Sequence, residues 1–265
     1  MSIIGKIASL WRYPVKSMRG EEVDTVFLGF AGIYGDRLFA FKSAASPKGF
    51  PYLTGREQPD MLRYRPRFRH PEQAAQPPNL ADAERLVPGL HVNPMPADPA
   101  DLMVDVETPS GELLAIDDPA LLDRLSAGIG EAQSLTLVRS DRALTDCRPV
   151  SLFSVQTVQQ LGEELGTVVD QQRFRANIYV DLSLAGGFGE DGLVGRSLQI
   201  GSQVVIAVLR RDPRCTMITL DPETGVANPA VLQQVMEAHE GMAGVYGAVL
   251  VEGLLRKGDA IAVVD

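Results

Sequence analysis

Cysteine and histidine are scarce in this chain. Of 265 residues, two are cysteine (Cys147 and Cys215) and three are histidine (His70, His91 and His239). Two cysteines do not make a disulfide framework. No Cys-x-x-Cys or His-x-His pair exists, so a zinc site has no sequence support. An iron–sulfur cluster normally takes about four cysteines, which excludes one held by this chain alone. Long apolar runs are missing too: none approaches the roughly 20 residues that span a bilayer. Positive charge is in deficit, with a formal net charge of −9. An acidic surface repels phosphate backbones, so nucleic acid is not an expected partner. A local cluster of Arg and Lys can still oppose the global sign and hold a small anion. Met1 to Leu10 carries one Lys and a short apolar stretch, which does not read as a secretory signal. The expectation is a cytoplasmic protein with no membrane association.

What is present is an ordinary globular balance, 45% hydrophobic and 22% charged, on a chain long enough for one large or two modest domains. Ile3 to Tyr13, Val23 to Leu28 and Arg37 to Lys42 are rich in β-branched and aromatic residues, and Gly20, Gly29, Gly32 and Gly35 punctuate them. Residues 70–99 hold 7 of the 18 prolines and no sustained apolar period, and read as an irregular excursion. Strand signals resume at Leu102 to Glu107 and Glu112 to Ile116. They recur at Leu135 to Arg139, Asn177 to Leu182, Ser197 to Leu209, Tyr246 to Val251 and Ala260 to Val264. Three short helices are expected. One runs from Pro119 to Ser126 behind an Asp cap, one from Ser154 to Leu165, and one from Asn228-Pro229 to about His239. Many strands with few short helices indicate barrels or strongly curved sheets, a β-rich α+β fold.

Several local patterns could carry chemistry, and each has a plain structural alternative. Gly187 to Gly192 matches G-x-G-x-x-G, but a strand-like run follows where a dinucleotide site needs a helix, so a loop is the better reading. Cys215 follows a long apolar strand, and Arg210, Arg211 and Arg214 within five residues would favour its thiolate, a soft-metal ligand or nucleophile. The alternative is a cysteine packed as a small hydrophobe. Cys147 has Arg148 beside it but also Asp146, which opposes ionisation. Lys16 and Ser17, after the first strand, supply an ammonium and a hydroxyl suited to a phosphate, and Arg37 can join them; a solvated loop and a surface ion pair are the alternatives. Arg175 and Asn177, two apart on an expected strand, would share a side and could read the edge of a heterocycle. Ser154 could donate to a ligand but already serves as a helix cap. Asp191 could meet a ring N–H, or lie in a polar turn.

Taken in order, the segments resemble the MOSC family. Tyr13-Pro14-Val15-Lys16-Ser17, Gly35-Asp36-Arg37 and Thr54-Gly55-Arg56-Glu57 are similar to its N-terminal β-barrel domain. Asp146-Cys147-Arg148-Pro149, Ser154, Phe174-Arg175-Ala176-Asn177-Ile178, Arg214-Cys215 and Asp221-Pro222-Glu223-Thr224-Gly225 are similar to the MOSC domain proper. The spacing resembles that of the mitochondrial amidoxime-reducing component and its bacterial relatives, and of the C-terminal part of molybdenum cofactor sulfurases.

The resemblance implies an N-terminal β-barrel domain over 1–120 and a barrel-like MOSC domain over 121–265, with a cofactor in the cleft between them. It implies a molybdopterin whose molybdenum takes a cysteine ligand, here Cys215. Lys16, Ser17 and Arg37 would hold the cofactor phosphate. Arg175, Asn177 and Ser154 would lie near the pterin, with Thr54, Arg56, Asp191 and Arg214 as further contacts. The implied activity is reduction of small N-hydroxylated compounds with electrons from a separate ferredoxin-like or cytochrome/reductase partner. The alternative is a carrier of the cofactor or its sulfur without turnover of its own. Three features depart from the family pattern: Ala176 stands where Pro is frequent, Pro213 where a small hydroxyl residue is frequent, and the segment after Phe188 is shorter.

Overall fold

The computed structural model describes residues 2–44, 46, 49–81, 97–129, 134–183 and 186–264. Seven strands close into a barrel in the order β11 (Ile178–Leu182), β10 (Val150–Ser154), β14 (Met242–Val251), β13 (Val204–Pro213), β12 (Ser197–Ile200), β16 (Ala260–Val264) and β1 (Ser2–Arg12), which pairs back onto β11. A short strand, β2 (Glu21–Val23), flanks β1. The pairing of β10 with β11 is parallel, and an antiparallel register joins the other neighbours. A parallel pair needs a crossover, and the helix α2 (Val155–Leu165) supplies it. The closing strand is therefore the N-terminus of the chain, while its barrel partners come from residues 150–264.

Inside the barrel, Ile7, Leu10, Val150, Leu152, Ile178, Val180, Ile206 and Ile261 form one apolar cluster. A register shift between Ile7 and Ser9 breaks the strict alternation of β1. As a result Ile7 and Leu10 face the barrel interior, while Trp11 and Tyr13 join a second core with Phe153, Phe174 and Tyr179. That second core lies under α2 and α3 (Pro229–Ala238), which contribute Leu161, Val231 and Val235. A third core belongs to β5 (Phe39–Ser43), β7 (Val104–Glu107), β9 (Leu135–Arg139) and helix α1 (Pro119–Ala127), with Phe39, Phe41, Met61, Val106 and Leu121 at its centre. Smaller sheets surround it: β5 with β9; β6 (Arg65–Phe68) with β7 and β8 (Leu113–Ala115); and β15 (Gly253–Arg256) with β3 (Thr25–Gly29) and β4 (Gly32–Ile33). No helix among the described residues is long and apolar enough to cross a membrane.

The expected β-rich α+β class is what the chain adopts. All three expected helices form, and Asp118, Ser154 and Asn228 cap them by accepting from Ala120, Thr157 and Ala230 backbone N–H groups. Two apolar runs expected to be single strands are divided. Asp24 separates β2 from β3, and Gly201 at φ +60° turns 197–209 into the β12–β13 hairpin. Arg37 does not begin a strand, because its φ is +45°; pairing starts at Phe39. The motif at 187–192 is a loop with one 3-10 turn, Gly189–Leu193. Of the proline-rich excursion, residues 82–96, with His91, lie outside the described residues.

Barrel closure depends on close backbone approach at Gly5, where β1 is pinned between β11 and β16. A Cβ there would sit 2.1 Å from the Asp181 carbonyl oxygen. Gly5→Ala is expected to lower stability by about 1–3 kcal/mol through overpacking. Urea denaturation followed by circular dichroism checks this, and an unshifted midpoint would show that the seam is not tight.

Candidate functional site

β1 delivers Tyr13 to a junction where the two halves of the chain meet. Tyr13 is almost fully buried, and its ring carries two guanidiniums: Arg37 at 4.6 Å and Arg175 at 4.4 Å from the centroid. Cations on aromatic faces are attracted by the ring quadrupole, more so when desolvated. Asp36 locks the arrangement, accepting from the Tyr13 backbone N–H at 2.8 Å and pairing with Arg37 Nη1 at 2.5 Å. Arg37 Nη2 donates to the Arg175 carbonyl at 3.0 Å, and Arg175 Nη2 donates to the Met18 carbonyl at 2.8 Å. Burial pulls the Arg175 guanidinium down to about 10, with Arg37 as a nearby like charge, and pushes the Tyr13 phenol up to about 12. The phenol therefore stays neutral beside two cations.

Three non-glycine residues here hold the left-handed conformation: Ser17 at φ 64°, Arg37 at 45° and Arg175 at 52°. Such residues store strain that the surroundings must over-determine, and they cluster at ligand clamps and active sites. All three line one cleft, together with Lys16, Thr54, Arg56, Asn177, Arg214 and Cys215. The enclosed cavity measures only about 120 Å³, and the cleft opens to solvent beyond it. The structure thus brings together nearly every site residue expected from the sequence.

Two expected residues stand apart. Ser154 is fully buried and does not line the cleft; its hydroxyl caps α2 and donates to Glu190 at 2.7 Å. Glu190 also accepts from Thr157 Oγ1, at 2.9 Å to Oε1 and 2.8 Å to Oε2, so this is an internal capping network. Asp191 pairs with Arg211 at 2.8 Å outside the cleft, in the polar-turn role. Arg175 and Asn177 do not share a strand face, because Arg175 ends a 3-10 turn in the left-handed region and β11 starts at Ile178. The Asn177 amide is already engaged, donating to the Trp11 carbonyl at 3.3 Å and accepting from Ser151 at 3.2 Å. Thr54 donates to Glu57 at 2.6 Å and accepts from Arg56 Nε at 3.1 Å. Arg211 is met by Asp191 and Glu240, and Arg214 by Asp212 at 2.9 Å, so carboxylates answer two of the three arginines near Cys215. Arg214 also donates to the Ala243 and Phe174 carbonyls, which fixes the chain just before Cys215.

The lining includes residues that the sequence did not single out. Arg148, Arg173, Asp146, Asp212 and Tyr246 all face the same space. Arg173 donates to the Thr219 carbonyl at 2.7 Å and pairs with Asp221 at 2.9 Å, tying the 216–225 segment to the cleft. Burial raises the Asp212 carboxyl above its ordinary range. The signal for Asp146 and Arg148 was their place in Asp-Cys-Arg-Pro; Tyr246, deep in β14, carries none. Counted by charge, Lys16, Arg37, Arg56, Arg148, Arg173, Arg175 and Arg214 face two carboxylates, Asp146 and Asp212. In a chain of net charge −9 this is a strong local reversal of sign. Cys215 and Cys147 are both exposed free thiols, and of the two Cys215 lines the cleft. Among the described residues no group of three or more His, Cys, Asp or Glu is placed to hold a bare metal ion.

Two family models match the chain in succession. The MOSC N-terminal beta barrel domain matches residues 4–87 and the MOSC domain matches residues 139–262. The chain is 27% identical over 240 residues to mitochondrial amidoxime reducing component 2 of Bos taurus, a match covering 84% of this chain and 68% of that protein. Among solved structures it is similar to the YuaD protein from Bacillus subtilis, at 12% identity and a TM-score of 0.48, over 98% of this chain and 94% of that one. It is also similar to YiiM from Geobacillus stearothermophilus, at 18% identity and a TM-score of 0.33, over 44% of this chain and 54% of that one. The two matched domains follow each other along most of the sequence and supply opposite walls of one basic cleft: the chain is a MOSC-domain protein with a MOSC N-terminal beta barrel domain.

Proposed function

We propose that this protein binds a molybdenum cofactor in the basic cleft and reduces small N-hydroxylated compounds. The observation that carries the reading is the convergence of an exposed thiol, Cys215, with a floor of buried and half-buried cations in the same cleft. A lone thiol cannot hold a metal ion. The metal must arrive with ligands of its own, and a dithiolene-bearing pterin phosphate is such a carrier. Its negative charges match the cation surplus, and oriented guanidinium groups suit phosphate oxygens. The residues present therefore fit the group.

In this reading Lys16, Ser17, Arg37 and Arg175 hold the phosphate. Cys215 supplies the protein ligand to the metal. Arg214, itself held by Asp212 and two carbonyls, fixes the backbone that presents the thiol. When bound, the cofactor supplies two-electron oxygen-atom chemistry, and the protein supplies binding and orientation. The overall change balances as R–NHOH plus two electrons and two protons giving R–NH₂ and water. A separate one-electron-transfer protein, ferredoxin-like or of the cytochrome/reductase kind, returns the electrons. The cytoplasm is the proposed setting, with no membrane or nucleic acid partner. The amidoxime-reducing name of the bovine relative supports this substrate class.

Elemental mass spectrometry on protein from a cofactor-competent host provides the first test. Wild type is expected to carry close to one molybdenum per chain, and Cys215→Ser, a soft ligand replaced by a hard one, to lose most of it with the fold retained. Metal-loaded wild type is then expected to turn over N-hydroxylated substrate with a reduced one-electron donor. Loaded but inactive protein with readily exchanging cofactor would instead indicate a carrier. Arg175→Gln is expected to weaken cofactor retention about tenfold or more, the scale of one lost charge-assisted hydrogen bond, with the circular dichroism spectrum unchanged.

A further inference from the structure

In the cleft, Lys16 is not waiting with an open ammonium. Its side chain is only 6% exposed, and its Nζ donates to the Leu144 carbonyl at 2.8 Å and to the Asp146 carboxylate. Leu144 is held from its other side as well, its N–H donating to the Arg37 carbonyl at 2.9 Å. Asp146 itself is 54% exposed, so the ion pair joins a buried cation of the floor to a carboxylate hung from the surface. The charge of Asp146 acts on Arg37 and Arg175, and also on Asp212 and Tyr246. Its carboxylate is thus close enough to influence the cations assigned above to a phosphate.

We infer that Asp146 is an internal anion that occupies the Lys16 position of the basic floor, and that residues 144–148 form a strap which an incoming phosphate must displace. This inference rests on the proposed use of the floor as a phosphate site. Physically, Lys16 is buried, which disfavours its charge, and Asp146 is the counter-charge that lets it remain an ammonium. Asp36 answers Arg37, but Lys16 and Arg175 would still add two further positive charges in a poorly solvated place. The strap relieves that repulsion at the expense of competing with the ligand. A ligand that binds only the open form sees its affinity reduced by the fraction of molecules that are open.

Inorganic phosphate serves as the probe, on full-length chain from a host unable to make the cofactor. Binding is read by calorimetry, and the strap by amide hydrogen exchange of residues 144–148. In wild type, saturating phosphate is expected to accelerate exchange across 144–148. Asp146→Asn is expected to show fast exchange there without phosphate and to bind phosphate about tenfold more tightly, as when closed molecules outnumber open ones by about that ratio. Phosphate that binds wild type while 144–148 exchange stays unchanged or slows would overturn the strap, even if Asp146→Asn binds more tightly, because Asp146 would then be only a nearby charge. Equal affinities in the two proteins would overturn it as well. If neither protein binds phosphate while both remain folded, the anion-site reading fails together with it.

Discussion

One phenol ring that holds two guanidinium groups is the interaction on which the rest of the site depends. Arg37 and Arg175 come from opposite halves of the chain and would repel each other in a partly dry cleft. The Tyr13 ring attracts both, at 4.6 and 4.4 Å. Asp36 then adds a full negative charge on the Arg37 side. The ring can do this only because β1 holds it rigidly. Trp11 N–H donates to the Asn177 carbonyl at 2.8 Å, and the Asn177 side chain in turn grips the Trp11 carbonyl. The left-handed turns at Ser17, Arg37 and Arg175 follow from the same demand, since each aims a side chain or a backbone group inward from a chain that would otherwise pass by.

This makes barrel closure and site assembly one event. β1 is the seam of the barrel, paired with β11 on one side and β16 on the other. Beyond Arg12 the same strand runs straight into Tyr13, Lys16 and Ser17. β11 begins just after Arg175 and Asn177, so the Tyr13 ring and its Arg175 partner are carried by the two strands that close the barrel. The binding cleft is therefore built on paired strands with little freedom to drift, the condition for holding a ligand in a fixed orientation.

Local signals carried much of this into the sequence. Asp118-Pro119, Ser154 and Asn228-Pro229 announce helix starts because capping is a contact between near neighbours. The β-branched runs announce strands for a similar reason. What stayed hidden was set by distant contacts. Nothing near Val150 to Ser154 reveals the strand at the parallel crossover of the barrel, because its partners Ile178 to Val180 and Val245 to Gly247 lie far along the chain. Ser154 shows the opposite error. A hydroxyl in the right order along the chain looked like a ligand contact, yet Glu190 lies across the buried space and takes it for a capping network. Asn177 is intermediate: it reaches the cleft, but its amide holds two strands together. A linear sequence states which polar groups exist; only the fold states which are already engaged.

That distinction also orders the chemistry. Arg214, Arg173 and Asn177 line the cleft with their polar groups bonded to the protein, so they act as scaffold. Cys215 is different in kind, an exposed free thiol at the end of β13 with its preceding residue pinned by three separate contacts. Nothing in the packing of Cys215 calls for sulfur, since an exposed side chain contributes little to the core. A small hydrophobe would explain a buried cysteine; it does not explain this one. Arg214 packs over Phe153 and Phe174 of the core, so the residue beside the sulfur is tied directly to the core. A sulfur so placed above a floor of cations suits a ligand that is anionic at one end and thiophilic at the other.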